Sequence, residues 1–188
     1  PGAGVKDADI SYEAASKTIT AKLPDGDKAY DLVFETSLEG KVIDQAQYKN
    51  TATYKNGDTY TTNVDAKVDV KNGNVFASKS GEQDPSNTNY ATWAVTINPS
   101  QSTMKNVVIT DTPSTNQVFN EESFKIYGAK VAKNGDITKD PSVVLEEGKD
   151  YTVEIVTDNE TGQQVATIKM NGTIDKAYIL EYKSLITA

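Results

Sequence analysis

The sequence contains no cysteine and no histidine among its 188 residues. The first absence excludes disulfides, thiolate metal sites and cysteine nucleophiles, and the second excludes any site that uses an imidazole as general acid or base. An extracellular protein of this composition must be stabilised by something other than disulfides. We therefore expect a protein that is not an enzyme and that needs neither a metal nor a cofactor.

Positive charge is also scarce, and all of it comes from lysine. The 19 basic residues face 27 acidic ones, which gives a net charge of -8. Such a balance disfavours nucleic acid and anionic membranes as partners. No apolar run approaches the roughly 18 to 20 residues of a membrane-spanning helix, and the first ten residues do not resemble a signal peptide. We expect no membrane insertion in this segment and any targeting signals outside it.

Alternation of apolar and polar residues dominates the sequence, and turn signals interrupt it every 8 to 15 residues. Lys-Asn-Gly occurs at 55–57, 71–73 and 133–135, and Asn-Gly between extended runs favours a tight hairpin. The pattern is typical of an all-β protein with immunoglobulin-like sandwich domains in tandem. The predicted strands lie near 8–12, 16–22, 29–36, 47–54, 59–70, 74–79, 91–98, 104–111, 124–132, 151–157, 164–170 and 177–185. Single helical turns are predicted at 44–48 and 120–123.

An internal repeat indicates how these strands are distributed between domains. Residues 27–38, DKAYDLVFETSL, align with residues 175–185, DKAYILEYKSL, with a single gap. The repeat predicts related domains in tandem, with a boundary near Lys71–Asn74. We expect residues 1–70 to be the C-terminal strands of a preceding domain and residues 71–188 to be a sandwich that lacks its last strand.

Three segments carry a resemblance to a known family: VFASKSG at 75–81, TWAVTIN at 92–98 and NVVITDTP at 106–113. Together they resemble the collagen-adhesin (Cna-like) domains of Gram-positive cell-wall proteins. Residues 27–54 resemble the closing strands of such a domain, so the order is inverted. The resemblance implies an isopeptide bond that forms without an enzyme. It assigns the amine to Lys79, the assisting acid to Asp111, and the acceptor to Asn50, of the preceding domain or of a complemented copy.

Strand periodicity places the same residues on apolar faces. Lys79 continues the face of Val75 and Ala77, and Asp111 continues that of Val107 and Ile109, because side chains alternate along a strand. Burial would lower the pKa of a lysine and raise that of an aspartate, which favours a nucleophilic amine and a carboxyl that can donate a hydrogen bond. We expect the two residues to be buried neighbours on adjacent strands.

Ordinary structural roles remain open for each of these residues. Lys79 fits a solvated edge strand, Asp111 before Thr112-Pro113 fits the start of a turn, and Asn50 fits an ordinary polar strand position. Trp93 fits a sandwich core better than a ligand platform. Period-2 spacing predicts that the interior of the sandwich contains Trp93, Val95, Ile97, Val107, Ile109, Leu180 and Tyr182. The acidic segment 158–162 lacks the ligand spacing of an EF-hand and favours a turn.

The function expected from the resemblance is a structural or adhesive module of a cell-wall-anchored extracellular protein. Its partners would be a matrix protein such as collagen, or neighbouring domains if the module is a stalk. The alternative is a carbohydrate-binding module or a carbohydrate-active β-sandwich enzyme that uses two carboxylates. Asn50 lies 12 residues after Leu38, and the equivalent residue of the second copy would follow Ala188. We therefore also expect Asn50 to complement the second domain, either in the same chain or in a strand-exchanged homo-oligomer.

Overall fold

A computed structural model describes residues 2–187. These residues form two compact units that divide between Thr36 and Ser37. The first unit contains a short 3-10 helix at Asp7–Asp9 and an antiparallel hairpin of strands β1 (Ile10–Glu13) and β2 (Thr18–Ala21). The other described residues of this unit, including the predicted strand at 29–36, form no strand.

The second unit is a sandwich of two antiparallel sheets with a hairpin at one end. One sheet has five strands in the order β10-β9-β14-β6-β5, and the other has three in the order β11-β12-β8. The predicted all-β sandwich is confirmed. The strands are β3 (Gln47–Asn56), β4 (Tyr60–Asp69), β5 (Ala77–Gln83), β6 (Tyr90–Ile97), β7 (Met104–Lys105), β8 (Val108–Asp111), β9 (Gln117–Val131), β10 (Ile137–Val144), β11 (Tyr151–Thr157), β12 (Gln164–Met170), β13 (Thr173–Ile174) and β14 (Tyr178–Ile186).

Alternate residues of both sheets meet in one apolar core. Its buried members are Val95, Ile97, Phe119, Phe124, Ile126, Tyr151, Ala166, Ile168, Met170, Ile174, Leu180 and Tyr182. Four of the residues that the sequence predicts inside, Val95, Ile97, Leu180 and Tyr182, are among them. The other three, Trp93, Val107 and Ile109, are half-buried against the core, since they lie closer to the side of the sandwich that β5 and β8 border.

The two predicted helical turns are wrong. Residues 120–123 belong to β9, where the pairing with β14 shifts register between Glu181 and Lys183. At this bulge the Ser123 hydroxyl accepts a hydrogen bond from the backbone N–H of Lys183 at 2.8 Å. A side chain thus replaces a ladder partner, which explains why polar residues that favour a helix start stand inside a strand. Residues 44–48 contain no helix, and the last two of them are the first residues of β3.

The repeat and β10 show how strongly context decides strand formation. Residues 175–185 include most of β14, which pairs with β6 on one side and β9 on the other. Residues 29–36 have no such neighbours and form no strand, so the predicted strand there is wrong. Strand β10 is missing from the prediction because it contains Pro141, which cannot donate to a ladder. It lies at a sheet edge, where proline is tolerated.

The β3–β4 hairpin is fixed to the sandwich only at its base. Backbone hydrogen bonds join Val70 N to Ala46 O at 2.8 Å and Asn74 N to Ile43 O at 3.0 Å. The buried Ile43 N–H in turn donates to the Ser102 hydroxyl at 2.8 Å. Beyond this base every hairpin residue except Tyr48 is exposed. The ribbon therefore projects from the sandwich without packing on its sheets.

Candidate functional site

One side of the sandwich is left open between the edges of its two sheets. Strand β5 is the edge of the five-stranded sheet and β8 is the edge of the three-stranded sheet. All seven residues of β5 are exposed, whereas its neighbour β6 is half-buried or buried throughout. Among residues 2–187, β5 pairs only with β6 and β8 only with β12. We call this side the open flank, and it presents unpaired strand edges to solvent.

Lys79 of β5 reaches across the open flank to Asp111 of β8. Its Nζ lies 2.7 Å from Asp111 Oδ2, within hydrogen-bond and ion-pair distance. The aspartate side chain is 5% exposed and the lysine side chain is 40% exposed. The lysine Nζ also lies 4.7 Å from the centre of the Trp93 ring, where the ring face attracts a cation.

Tyr182 of β14 completes the environment of Asp111. Its hydroxyl donates to the same Asp111 Oδ2 at 2.5 Å. Burial raises the pKa of Tyr182 well above its usual range, and the hydrogen bond to Asp111 and the charge of that carboxylate raise it further. The tyrosine therefore stays protonated as a donor. Its ring stacks on Phe124 at 4.6 Å between centroids, which holds the hydroxyl in place.

Two concave spaces lie along the open flank. A cavity of about 150 Å³ adjoins the ion pair and is lined by Lys79, Trp93, Asp111, Thr112, Pro113, Ser114, Gln117, Phe119 and Tyr182. A wider groove of about 500 Å³ lies at the start of β5, between Phe76 and Ala77 on one side and Val107 and Val108 on the other. The flank thus offers a small space beside Lys79, lined by both polar and aromatic side chains, and a larger, mainly apolar one nearby.

The structure brings two of the three predicted site residues together. Lys79 and Asp111 are in contact, but they lie on the edge strands of facing sheets and not on adjacent strands of one sheet. Lys79 is not buried as expected, because no strand covers the outer edge of β5 in the part of the chain described. Asp111 is the buried last residue of β8. Asn50 is absent from the cavity lining and lies on the exposed hairpin opposite Ala66.

Tyr182 was not among the predicted site residues. The alternation of Leu180 and Tyr182 placed the tyrosine in the core, and a buried tyrosine hydroxyl usually has a polar partner. A second lysine–aspartate pair was also missed: Lys183 Nζ donates to buried Asp84, and this hydrogen bond lowers the pKa of the Asp84 carboxyl. Nothing in the local sequence links these two residues, which are 99 positions apart.

The segment 158–162 is a turn, as one of the two interpretations predicts. The Asp158 carboxylate accepts hydrogen bonds from the backbone N–H groups of Glu160 and Thr161 at 2.9 and 2.8 Å. Residues 2–187 hold no group of three or more acidic side chains placed to bind a metal. They also include no helix with the length and hydrophobicity needed to cross a membrane.

Comparisons with known proteins place this sandwich in a family. A family model described as a collagen binding domain matches residues 74–188. No curated protein matches the sequence. The chain is similar to the collagen-binding domain of a Staphylococcus aureus adhesin, at 19% identity and a TM-score of 0.36, over 61% of this chain and 76% of that one. It is also similar to the collagen-binding subdomain of Enterococcus faecalis surface protein ACE, at 18% identity and a TM-score of 0.39, over 60% and 73% of the two chains. The collagen-binding domain of Erysipelothrix rhusiopathiae surface protein RspB matches at 13% identity and a TM-score of 0.41, over 75% of this chain and 45% of that one. Because the family model covers more than half of the sequence, the chain belongs to the collagen binding domain family.

Proposed function

We propose that the chain is a collagen-binding adhesive module of an extracellular, cell-wall-anchored protein. The family match over residues 74–188, on a β-sandwich without cysteine, is the observation that carries the proposal. Adhesion needs no catalytic group, in keeping with a sequence that lacks histidine and cysteine. We also propose that residues 1–70 are the closing strands of a preceding domain and that residues 71–188 form the next one.

Binding to immobilised triple-helical collagen tests the adhesive role. We expect saturable binding of the chain to native collagen and much weaker binding to the same collagen after heat denaturation, because a folded domain would recognise a defined ligand shape. Surface plasmon resonance measures both on one chip. Absence of binding to fibrillar and network collagens, together with binding to or turnover of a glycan panel, would instead support the carbohydrate-binding or carbohydrate-active alternative.

We further propose that Lys79 forms an isopeptide bond with an asparagine of a strand that covers the open flank. The contact between Lys79 Nζ and Asp111 beside an unfilled cavity supports this role. The amine nitrogen attacks the side-chain amide carbon of the asparagine, the bond from that carbon to the amide nitrogen breaks, and ammonia leaves. The covering strand would exclude water from the lysine, which favours the neutral amine, and Asp111 would relay the proton.

Intact mass under denaturing conditions measures this bond. Each bond removes ammonia, so we expect a loss of about 17 Da per bond. The Lys79→Ala variant should have the full mass calculated from its own sequence, with no loss of ammonia. The matched control is Lys183→Ala, since Lys183 also contacts a buried aspartate, Asp84, but lies on the central strand β14; this variant should keep the loss. A parent protein at full mass in both monomeric and associated forms would refute the bond.

A further inference from the structure

The β3–β4 hairpin has two chemically different faces. Residues directly opposite in an antiparallel pair share a face, and the register places five such pairs on each face. One face is polar and bonded within itself: Gln47 Nε2 donates to Asp69 at 2.8 Å, Thr53 Oγ1 donates to Asn63 at 2.7 Å, and Lys49 pairs with Asp65 at 3.3 Å. This face needs no further partner.

The opposite face is largely apolar and uncovered. It pairs Tyr48 with Val68, Asn50 with Ala66, Ala52 with Val64, Tyr54 with Thr62, and Asn56 with Tyr60. The side chains of Tyr54, Tyr60, Val64 and Val68 are all more than half exposed. A two-stranded ribbon is at best marginally stable alone, so an apolar face of this size indicates a partner. We call it the apolar face, and Asn50 lies on it in the second pair from the base of the hairpin.

We propose that strand β3 of one copy of this chain adds to the open flank of a second copy, with Asn50 against Lys79 and Asp111. The inference rests on the proposed role of that flank as the acceptor of an asparagine-bearing strand. The proposal adds to that role the identity of the strand, which is β3. The free edge of strand β3 would pair with the free edge of β5. The side chains of the apolar face would then cover the interior of the sandwich along the open flank.

The dimensions of the flank fit this strand. Strand β5 has seven residues and β3 has ten, so one can pair along the whole of the other. With Asn50 opposite Lys79, the side chains two positions away, Tyr48 and Ala52, face the inner side of β5 at Ala77 and Gly81. Both of those β5 residues are small, and the space inside Gly81 is taken by the Trp93 ring, which approaches its Cβ position to 2.4 Å.

The internal repeat identifies the acceptor as another copy of the same fold. Residues 175–185 include most of β14, the strand at the centre of the sandwich, while the equivalent residues 27–38 have no sheet to join. Asn50 follows the first of these segments, so β3 stands where the strand after β14 would stand in a related domain. Closure within one chain would require the ribbon to fold back about a base that backbone hydrogen bonds hold at Ile43 and Ala46.

Cross-linking between two single-cysteine variants tests this arrangement, since the chain has no cysteine of its own. One copy carries Asn50→Cys and the other, with an affinity tag, carries Lys79→Cys. Mixing under mild oxidation should give a mixed disulfide dimer on a non-reducing gel. The matched control replaces Asn50→Cys with Thr51→Cys, on the adjacent polar face, and should give at least tenfold less.

Each alternative arrangement has its own product. Equal yields from the two mixtures would overturn the proposal, because β3 would then not direct its apolar face toward Lys79. A disulfide dimer of Asn50→Cys alone in greater yield would mean that hairpins pack on each other. An internal disulfide in a monomeric chain with both substitutions would mean closure within one chain. Neither variant alone can form the Lys79–Asn50 isopeptide bond, but their mixture can, because one copy keeps Lys79 and the other keeps Asn50. Only the dimer that a thiol reductant separates is therefore counted as the disulfide product, so this experiment can succeed while the mass test fails, and the reverse.

Discussion

Replacement of Tyr182 by alanine is expected to lower the free energy of unfolding by about 3 to 5 kcal/mol. Tyr182 is 2% exposed, and its ring packs between Phe119 and Phe124 in the core. The truncation removes this ring and leaves a cavity. It also removes the hydrogen bond to the buried carboxylate of Asp111. Equilibrium denaturation in urea, followed by the fluorescence of the single tryptophan, measures the change.

Tyr182→Phe separates the two contributions. It keeps the ring and deletes only the hydroxyl, so we expect a loss of about 1.5 to 3 kcal/mol, the usual value of a hydrogen bond to a charged group. Tyr60→Ala serves as a control because Tyr60 is 61% exposed on the hairpin, and it should change the unfolding of the sandwich very little. A Tyr182→Ala protein as stable as the parent would show that the ring does not hold the two sheets together.

Asn98→Ala is expected to cost at least about 4 kcal/mol, although it removes no apolar surface. The residue is completely buried at the end of β6, with φ of 56°. Its Nδ2 donates to Ser102 O at 2.8 Å and to Lys176 O at 3.0 Å, and its Oδ1 accepts from Ser102 N at 3.0 Å. Alanine leaves these groups without partners, at about 1 to 3 kcal/mol each where they stay dry. The left-handed conformation adds about 1 to 2 kcal/mol.

Asn106→Ala is the matched control for this variant. Asn106 has the same φ of 56° but is exposed, so its replacement should show the conformational cost alone. Asn98→Gly supplies the opposite control, because glycine tolerates the backbone and lacks only the side chain. Thermal unfolding of the three variants ranks the contributions. If Asn98→Ala and Asn106→Ala lost equal stability, the buried hydrogen bonds of Asn98 would make no net contribution to the free energy of unfolding.

The alternation of residues on a strand explains which parts of the structure could be predicted. Burial of Val95, Ile97, Leu180 and Tyr182 follows from period-2 spacing, because one face of a sandwich strand must be apolar. The same spacing places Lys79 and Asp111 toward the interior. Strand identity at 29–36 could not be judged in this way. Its sequence aligns with that of β14 in the internal repeat, but it has no neighbours such as the strands β6 and β9 that pair with β14.

A local sequence pattern could also not predict contacts between residues that are far apart in the chain. The contact of Asp111 with Tyr182 joins residues 71 positions apart, and that of Ile43 with Ser102 joins residues 59 apart. The register shift at Ser123 depends on its contact with Lys183 across the sheet, so the polar run at 120–123 looked like a helix start. Asn50 shows the limit most clearly, because the sequence predicts the strand that carries it, whereas the contact with Lys79 remains a proposal.

The pairing of β5 and β14 with the same strand has a mechanical consequence. Both are antiparallel to β6, and Ala77 and Tyr178 lie opposite the same residue, Ile97. The two strands therefore run in parallel, so a chain that enters through β5 and leaves through β14 crosses the sandwich along its strands. Tension on an adhesin pulled between its ligand and the cell would load these hydrogen-bond ladders side by side, in shear. All their bonds would have to yield together, which makes such a domain slow to open under force.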